Sequence, residues 1–248
     1  MTIEEAILSI RERIENAREE AGRKDEVRLI GISKTHPADL IQEARNAGLA
    51  DFGENRVQEA LPKIDQLKGI AAVWHLVGHL QSNKVNKAAP VFDWVHSIDN
   101  AETAARLDRA AKAAGRTIRA LVEVNTSGEE SKHGIAPEDT ESFMAKLGEA
   151  LQSGVMAPAP GAPAVYASNA AEQGGILLAG YMTIGPLHGT EEDNRRAFAL
   201  LRRIRDRLQG DWPMCRELSM GMSGDFESAI LEGATMVRVG SAIFGARG

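Results

Sequence analysis

The chain has 248 residues, of which 43% are hydrophobic and 26% charged, a composition typical of a globular protein with a sizeable core. Its formal net charge of −6 argues against a dedicated nucleic-acid or membrane-surface binder, because such proteins usually present a basic face. No apolar segment has the length of a membrane span, and the charged N-terminus does not resemble a signal peptide, so we expect a cytoplasmic protein.

The predicted elements begin with an amphipathic helix that ends near Gly22. Its apolar residues fall at helical spacing: Ile3, Ile7, Ile10, Ile14 and Ala17. Eight short apolar strands follow, beginning near Val27, Ala50, Val73, Trp94, Arg119, Ile176, Glu217 and Thr235. A helical pattern comes after every strand except the last, which indicates a parallel sheet covered by helices.

Eight such strands predict a single (β/α)8 TIM barrel domain over residues 1–248, with the extra N-terminal helix. The alternative is an open doubly wound sheet, which is disfavoured because no G-x-G-x-x-G follows the first strand. Residues 153–175 are rich in Ala, Pro and Gly and predict a long loop before the sixth strand. The one cysteine, Cys215, excludes an internal disulfide and is predicted to be a buried apolar residue.

Active sites of such barrels lie where the strands end, so the lysine at the end of the first strand is of interest. In the sequence VRLIGISKTHP, Lys34 follows an apolar strand and Pro37 opens the next helix. A lysine there can simply extend to solvent. Alternatively, partial burial or a neighbouring cation lowers its pKa and makes it a Schiff-base nucleophile.

The last two strand ends have the composition of a phosphate site. Ser219, Gly221, Ser223 and Gly224 follow the seventh strand, and Gly240 and Ser241 follow the eighth. Glycines allow backbone N–H groups to approach an anion, and serine hydroxyls add donors. Each loop taken alone is explained more simply as an ordinary tight turn, because Gly and Ser are common turn residues. The two loops together, however, occupy the usual phosphate site of this barrel.

Arg238 lies on the eighth strand between two valines, so its side chain faces away from theirs and into the barrel. An inward arginine needs a partner, which is either a carboxylate such as Glu123 or an acceptor on a ligand, for example a ring nitrogen. An amine for a carbonyl, a phosphate site and an inward arginine together fit pyridoxal 5′-phosphate (PLP).

The motifs that carry these residues resemble those of a known family, the pyridoxal-phosphate homeostasis proteins of the YggS/PROSC type. The matching segments run in order through nearly the whole chain: ISKTHP, FGENRVQE, WHLVGHLQSNK, HSIDN, VNTSGEESKHG, GYMTIGP and LSMGMSGDFESAILEGATMVRVGSAIFG. The family is related to the barrel domain of alanine racemase. Two departures are the long 153–175 loop and Tyr181 in place of an aliphatic residue.

The resemblance implies a cofactor site of nine residues. Lys34 would hold PLP as a Schiff base, and Arg238 would face the pyridine nitrogen. The phosphate would be bound by Ser219, Ser223, Gly240 and Ser241, with Met222 lending its backbone. Asn55 and His79 would lie near the cofactor ring, whereas Asp225 is expected to cap the following helix.

Two functions follow from this resemblance. The first is a non-catalytic carrier that stores PLP or delivers it to apo PLP-dependent enzymes, and the second is an amino-acid racemase. The chain leaves no room for the second domain whose tyrosine serves alanine racemase, so we favour the carrier and expect a monomer. His75, His79, His133 or Tyr181 could replace that tyrosine, but no sequence feature places them suitably.

A third function, a Schiff-base aldolase, would need a further acid or base among the middle strands. Glu123 is the one candidate, although it is better explained as a partner for the inward arginine. The six histidines show no metal-ligand spacing, so no metal is predicted. We expect His36 in a loop, and His96 and His188 at the surface or just behind the site.

Overall fold

The computed structural model describes residues 1–151 and 174–245 and forms a closed barrel of eight parallel strands. Strands β1 to β8 span Arg28–Ile32, Asp51–Glu54, Val73–Leu76, Trp94–Ile98, Thr117–Glu123, Gly175–Met182, Glu217–Ser219 and Met236–Val239. They pair in chain order, and β8 pairs with β1. The predicted (β/α)8 barrel is therefore confirmed, and the alternative of an open sheet is wrong.

Helices surround the barrel and follow the strands. Within the described residues, α1 to α9 span Ile3–Glu20, Ala38–Asn46, Val57–Gln66, Val85–Ala88, Ala101–Ala113, Thr140–Leu151, Glu191–Leu208, Phe226–Leu231 and Ser241–Phe244. Short 3-10 turns at Ser82–Lys84 and Pro137–Asp139 precede α4 and α6. The single-turn α9 after β8 was not predicted, because four residues are too few to show a helical period.

The predicted N-terminal helix is confirmed as α1, whose five apolar residues at helical spacing are all buried. A capping box fixes its start: the Thr2 hydroxyl accepts the Glu5 N–H at 3.1 Å, and the Glu5 carboxylate accepts the Thr2 N–H at 2.8 Å. The helix packs against α8, where the Arg13 guanidinium lies 4.5 Å from the centre of the Phe226 ring.

Side chains alternate between the barrel interior and the layer under the helices. On β8, Val237 and Val239 belong to the outer core, whereas Met236 and Arg238 point inward, as predicted from strand alternation. A small apolar cluster fills part of the interior: Ile30, Ile32, Trp94, Leu121, Ala179, Met182 and Met236. Buried polar side chains, among them His96, Ser219 and Arg238, also lie inside the barrel, which is unusual for an interior of this kind.

The two departures from the family pattern lie away from the barrel mouth or outside the described residues. Tyr181 is fully buried in the outer core, so it does not shape the rim of the barrel. Of the predicted loop over residues 153–175, only Gly174 and Gly175 fall within the described residues, and Gly175 already begins β6. Cys215 is buried, as predicted. Among the described helices, none combines the length and apolar character needed to cross a bilayer.

Candidate functional site

A cavity of about 260 Å³ opens at the carboxyl end of the barrel, where the turns after β1, β7 and β8 meet. Its lining includes six of the nine residues predicted to bind the cofactor: Lys34, Met222, Ser223, Arg238, Gly240 and Ser241. These residues lie far apart in the chain and converge because parallel strands present their carboxyl ends at one face.

Lys34 lies on a tight turn directly after β1. The turn is closed by the His36 N–H, which donates to the Ser33 carbonyl at 3.1 Å, and Thr35 has a φ of 67°. A left-handed conformation is strained for a β-branched residue and costs on the order of 1–3 kcal/mol. Strain of this kind persists only where the surroundings enforce it, which is typical of ligand sites.

A buried ion pair supports this turn from behind. Lys63 Nζ donates to Glu54 Oε1 at 2.8 Å and to the Ser33 carbonyl at 2.9 Å. The Ser33 hydroxyl donates to the same Glu54 oxygen at 2.7 Å. Glu54 is fully buried, and within the described residues its Oε2 has no hydrogen-bond partner. Because a buried carboxylate depends on its cation, Lys63 stabilises the turn that carries Lys34.

The turns after β7 and β8 direct hydrogen-bonding groups towards one another. Ser223 Oγ accepts the Gly240 N–H at 3.3 Å and lies 3.4 Å from Ser241 Oγ. Gly221 has a φ of 89°, and a Cβ at this position would lie 2.9 Å from Phe226 Cα. Only glycine therefore allows the first turn to pack against α8 and bring its serine beside the second turn.

Asp225 occupies the N-cap position of α8, as expected, but its side chain does not bond to the first turn of that helix. Its Oδ1 instead accepts the Met222 N–H at 2.5 Å. The expected side-chain cap is therefore absent, because the turn after β7 curls back and offers the carboxylate a closer donor. The Met222 N–H, predicted to serve a phosphate, is engaged by this carboxylate.

Arg238 is held inside the barrel by both of its terminal nitrogens. Nη1 donates to Ser219 Oγ at 2.7 Å, and Nη2 donates to the Thr183 carbonyl at 2.8 Å. The residue is 5% exposed and lines the cavity, and burial lowers its pKa to about 10. A guanidinium has five N–H donors, so these two bonds leave Arg238 able to donate to a ligand.

Glu123 at the end of β5 is a further buried carboxyl group. Burial and the charge of Asp99 raise its pKa to about 7, although the charge of Arg238 acts in the opposite direction. Within the described residues, no ion pair joins Glu123 to Arg238. The predicted pairing of these two residues is wrong, because the arginine donates to the neutral oxygens of Ser219 and Thr183.

A line of buried hydrogen bonds connects Arg238 with Asp51, the first residue of β2, at the opposite end of the barrel. Beyond the Arg238–Ser219 bond, Ser219 Oγ lies 2.9 Å from His96 Nδ1. His96 Nε2 lies 2.9 Å from His75 Nδ1. His75 Nε2 lies 2.9 Å from Asp51 Oδ1. We call these five residues the buried relay.

All donors in the buried relay point the same way. Ser219 accepts from Arg238, so its own proton goes to His96 Nδ1, and His96 must carry its proton on Nε2. His75 then accepts at Nδ1 and donates from Nε2 to the carboxylate of Asp51. Burial lowers the pKa of both histidines, well below the usual range for His96, which favours their neutral forms. Arg238 is therefore oriented by a chain of uncharged side chains, and the last of them, His75, donates to the Asp51 carboxylate.

The other three predicted residues lie outside the Lys34 cavity. Asn55 and His79 line a neighbouring cavity of about 710 Å³, together with His133. Ser219 is fully buried behind Arg238, and its hydroxyl already serves Arg238 and His96. That Asn55, His79 and Ser219 contact a cofactor remains a prediction.

Two histidines lie at or behind the site, and only one of them was expected there. His36, expected in a loop, lines the Lys34 cavity, and its ring centroid lies 5.3 Å from that of Phe244. His96 is fully buried just behind the site, which is one of the two positions expected for it. His36 could not be assigned to the site from the sequence, because a histidine directly before a proline belongs to no recognisable motif. For His96, the alternation of β4 was a usable signal, because Trp94 two residues earlier also faces the interior.

The chain matches a known family over most of its length. Residues 7–248 match the family described as "Alanine racemase, N-terminal domain". A pyridoxal phosphate homeostasis protein of Pseudomonas aeruginosa is 40% identical over 247 residues, which cover 99% of this chain and 96% of the relative. The protein of that name from Aquifex aeolicus is 38% identical over 245 residues, which cover 98% and 97%.

Solved structures are also similar to this chain. PipY of Synechococcus elongatus without PLP is 36% identical with a TM-score of 0.81, and the match covers 98% of this chain and 100% of PipY. PipY with PLP bound has a TM-score of 0.78 at 35% identity. Alanine racemase of Clostridium difficile, at 16% identity, a TM-score of 0.64 and 55% coverage of its chain, shares the barrel fold. The chain therefore belongs to the alanine racemase N-terminal domain family, among the pyridoxal phosphate homeostasis proteins.

Proposed function

We propose that this chain binds PLP at Lys34 and acts in PLP homeostasis, with a Schiff base between Lys34 Nζ and the aldehyde of the cofactor. That bond joins the nitrogen to the aldehyde carbon and releases one water molecule. The observation that carries the proposal is that Lys34, Ser223, Ser241 and Arg238 line one cavity of about 260 Å³. The PLP-bound structure of PipY, 35% identical to this chain, supports the same ligand.

The donor set fits the two ends of PLP. The hydroxyls of Ser223 and Ser241 and the N–H of Gly240 suit the oxygens of a phosphate. Arg238 suits an unprotonated ring nitrogen, because a guanidinium can donate but not accept. PLP supplies a reactive aldehyde and an electron sink when bound, and an arginine beside the ring nitrogen weakens that sink.

The positions of the other titratable side chains favour a carrier over an amino-acid racemase. Racemisation needs a second proton carrier on the face of the substrate opposite the lysine. Of the residues considered for that role, His75 and Tyr181 are fully buried, and His79 and His133 line a different cavity. They are therefore poorly placed to exchange a proton with a substrate at the lysine.

His36 is the histidine that lines the Lys34 cavity in the described part of the chain. It lies on the same turn as Lys34, two residues further on, so it approaches a ligand from the lysine side. The weak electron sink expected beside Arg238 also disfavours carbanion chemistry. Relatives that match over nearly their full length are named for homeostasis of the cofactor, which supports the carrier role.

We infer that the acceptors are apo PLP-dependent enzymes and that the protein works as a monomer in the cytoplasm. Exchange requires that bound PLP can reach solvent. The exposure of Ser241 and of Met222, which is 38% exposed, supports an open cavity.

A transfer assay tests the carrier role. The protein is loaded with PLP, passed through gel filtration to remove the excess, and mixed with an apo-aminotransferase. We expect the aminotransferase activity to return, and Lys34→Ala protein carried through the same steps to restore little. Failure of the loaded protein to restore activity would contradict delivery. Racemisation of a free amino acid that is lost in Lys34→Ala would instead establish the enzyme.

A further inference from the structure

Three side chains of metal-ligand type meet at the ends of β3, β4 and β5: His79, Asp99 and His133. Each offers one ligand atom, and the three atoms lie within 4.8 Å of one another. His79 Nδ1 is 3.3 Å from Asp99 Oδ2, and the two histidine rings stack with their centroids 4.3 Å apart. Neither histidine lines the Lys34 cavity, although the resemblance implies a place for His79 near the cofactor ring.

Contacts at the strand ends position the first two side chains. Ser97 Oγ donates to the Gly78 carbonyl at 2.8 Å, which fixes the residue directly before His79. Asp99 follows the last residue of β4, and the next residue, Asn100, caps α5 with its side chain. Both side chains therefore extend from anchored backbone.

His133 is held by a segment that returns to β5. The Ile135 N–H donates to the Glu123 carbonyl at 2.8 Å, and the Asn125 N–H donates to the Ile135 carbonyl at 2.9 Å. Gly134 has a φ of 109°, and a Cβ there would lie 2.9 Å from Asn125 N. This close return requires glycine, and it brings the preceding histidine to the ends of β3 and β4.

We propose that His79, Asp99 and His133 form a binding site for a divalent transition metal, of which Zn²⁺ is the representative. Two imidazole nitrogens and one carboxylate oxygen are a donor set that such ions accept. Ligand atoms around tetrahedral Zn²⁺ lie about 3.3 Å apart, which matches the His79–Asp99 separation. Both histidines are exposed, so their rings can turn about χ2, a soft torsion, until all three atoms converge.

A simple contact between His79 and Asp99 explains two of the three side chains but not the presence of His133. A cation bound by all three side chains neutralises the carboxylate and uses both imidazoles. Three protein ligands also leave a coordination position for water or an exogenous ligand. No short motif marks the site, because its ligands come from three separate loops, so no metal was expected from the sequence.

Zinc binding by the full-length, untagged protein tests this site. The protein is treated with a chelator and dialysed against ZnCl₂, and its affinity is measured by competition with a chromophoric chelator. We expect about one Zn²⁺ per chain. His133→Ala and Asp99→Asn should each weaken binding by at least about tenfold. His188→Ala, which removes another exposed histidine, should leave the affinity unchanged.

Cobalt gives a second readout that a structural effect of the variants would not reproduce. Co²⁺ titrated into the wild-type protein should produce visible d–d bands, which His133→Ala should lack while keeping the wild-type circular dichroism spectrum. The proposal is overturned if wild-type protein binds no Zn²⁺, or if His133→Ala binds it as tightly as wild type. Neither result bears on PLP loading at Lys34, so the two proposals are tested separately.

Discussion

Replacing Ser219 by alanine tests whether the buried relay holds Arg238. The Ser219 hydroxyl is fully buried and has two partners, the Arg238 guanidinium at 2.7 Å and His96 Nδ1 at 2.9 Å. Ser219→Ala removes the acceptor of a buried cation and the donor to a buried imidazole. It does not directly touch the Ser223 and Ser241 hydroxyls that we assign to the phosphate.

The cost follows from the two groups left unpaired. A hydrogen bond to a charged group contributes about 1.5–3 kcal/mol, and a buried neutral acceptor without a donor costs about 1–3 kcal/mol. We therefore expect Ser219→Ala to lower the free energy of unfolding by about 3–5 kcal/mol. Ser97→Ala is the matched control, because Ser97 is also buried but makes one bond, to the Gly78 carbonyl at 2.8 Å. Its loss should cost about 1–2 kcal/mol.

The measurement is urea unfolding of the PLP-free proteins, followed in parallel by tryptophan fluorescence and far-UV circular dichroism. Coincident transitions with equal slopes allow the free energies to be compared directly. If Ser219→Ala is no less stable than Ser97→Ala, then the hydroxyl does not carry both bonds, and the one-way order of donors in the buried relay is refuted.

Three further predictions concern other parts of the molecule. Nitrogen NMR should show His75 and His96 as neutral Nε2–H tautomers at pH values where an unperturbed histidine, with a pKa of about 6.5, is protonated; an imidazolium signal from either would contradict the relay. Burial raises the pKa of Cys215 to about 12, so iodoacetamide should alkylate it only after unfolding, and rapid labelling of the native protein would show it accessible. Ser223→Ala should weaken PLP binding about tenfold and leave stability within about 0.5 kcal/mol, and unchanged affinity in equilibrium titration would remove Ser223 from the phosphate site.

Much of the barrel could be predicted because strand patterns are local. The largest error in a strand start is at β5, which was expected near Arg119 and begins at Thr117. The inward direction of Arg238 followed from alternation with its valine neighbours, and the structure agrees. The one-turn helix after β8 was missed, because its four residues stand alone, whereas the equally short α4 continues a 3-10 turn and so has a longer pattern.

The site was only partly predictable because its polar contacts are long-range. Strand ends and composition were enough to indicate Lys34, Ser223 and Arg238. The contact of Ser219 with His96, which is 123 positions away in the chain, could not be predicted, since local patterns do not encode contacts across a barrel. The Lys63–Glu54 ion pair behind the Lys34 turn was missed for a similar reason. A glutamate and a lysine usually lie at the protein surface, so their presence in the sequence gives no sign of a buried contact.

One amine, that of Lys34, is proposed to bond to the aldehyde of PLP. The most direct measurement is borohydride reduction of the PLP-loaded protein, followed by peptide mass spectrometry. We expect a reduced phosphopyridoxyl group on the peptide that contains Lys34, together with loss of the near-visible absorption band on reduction. Lys34→Ala should lack both signals. Stable modification of a different lysine in the wild-type protein, or a band that survives in Lys34→Ala, would contradict the claim.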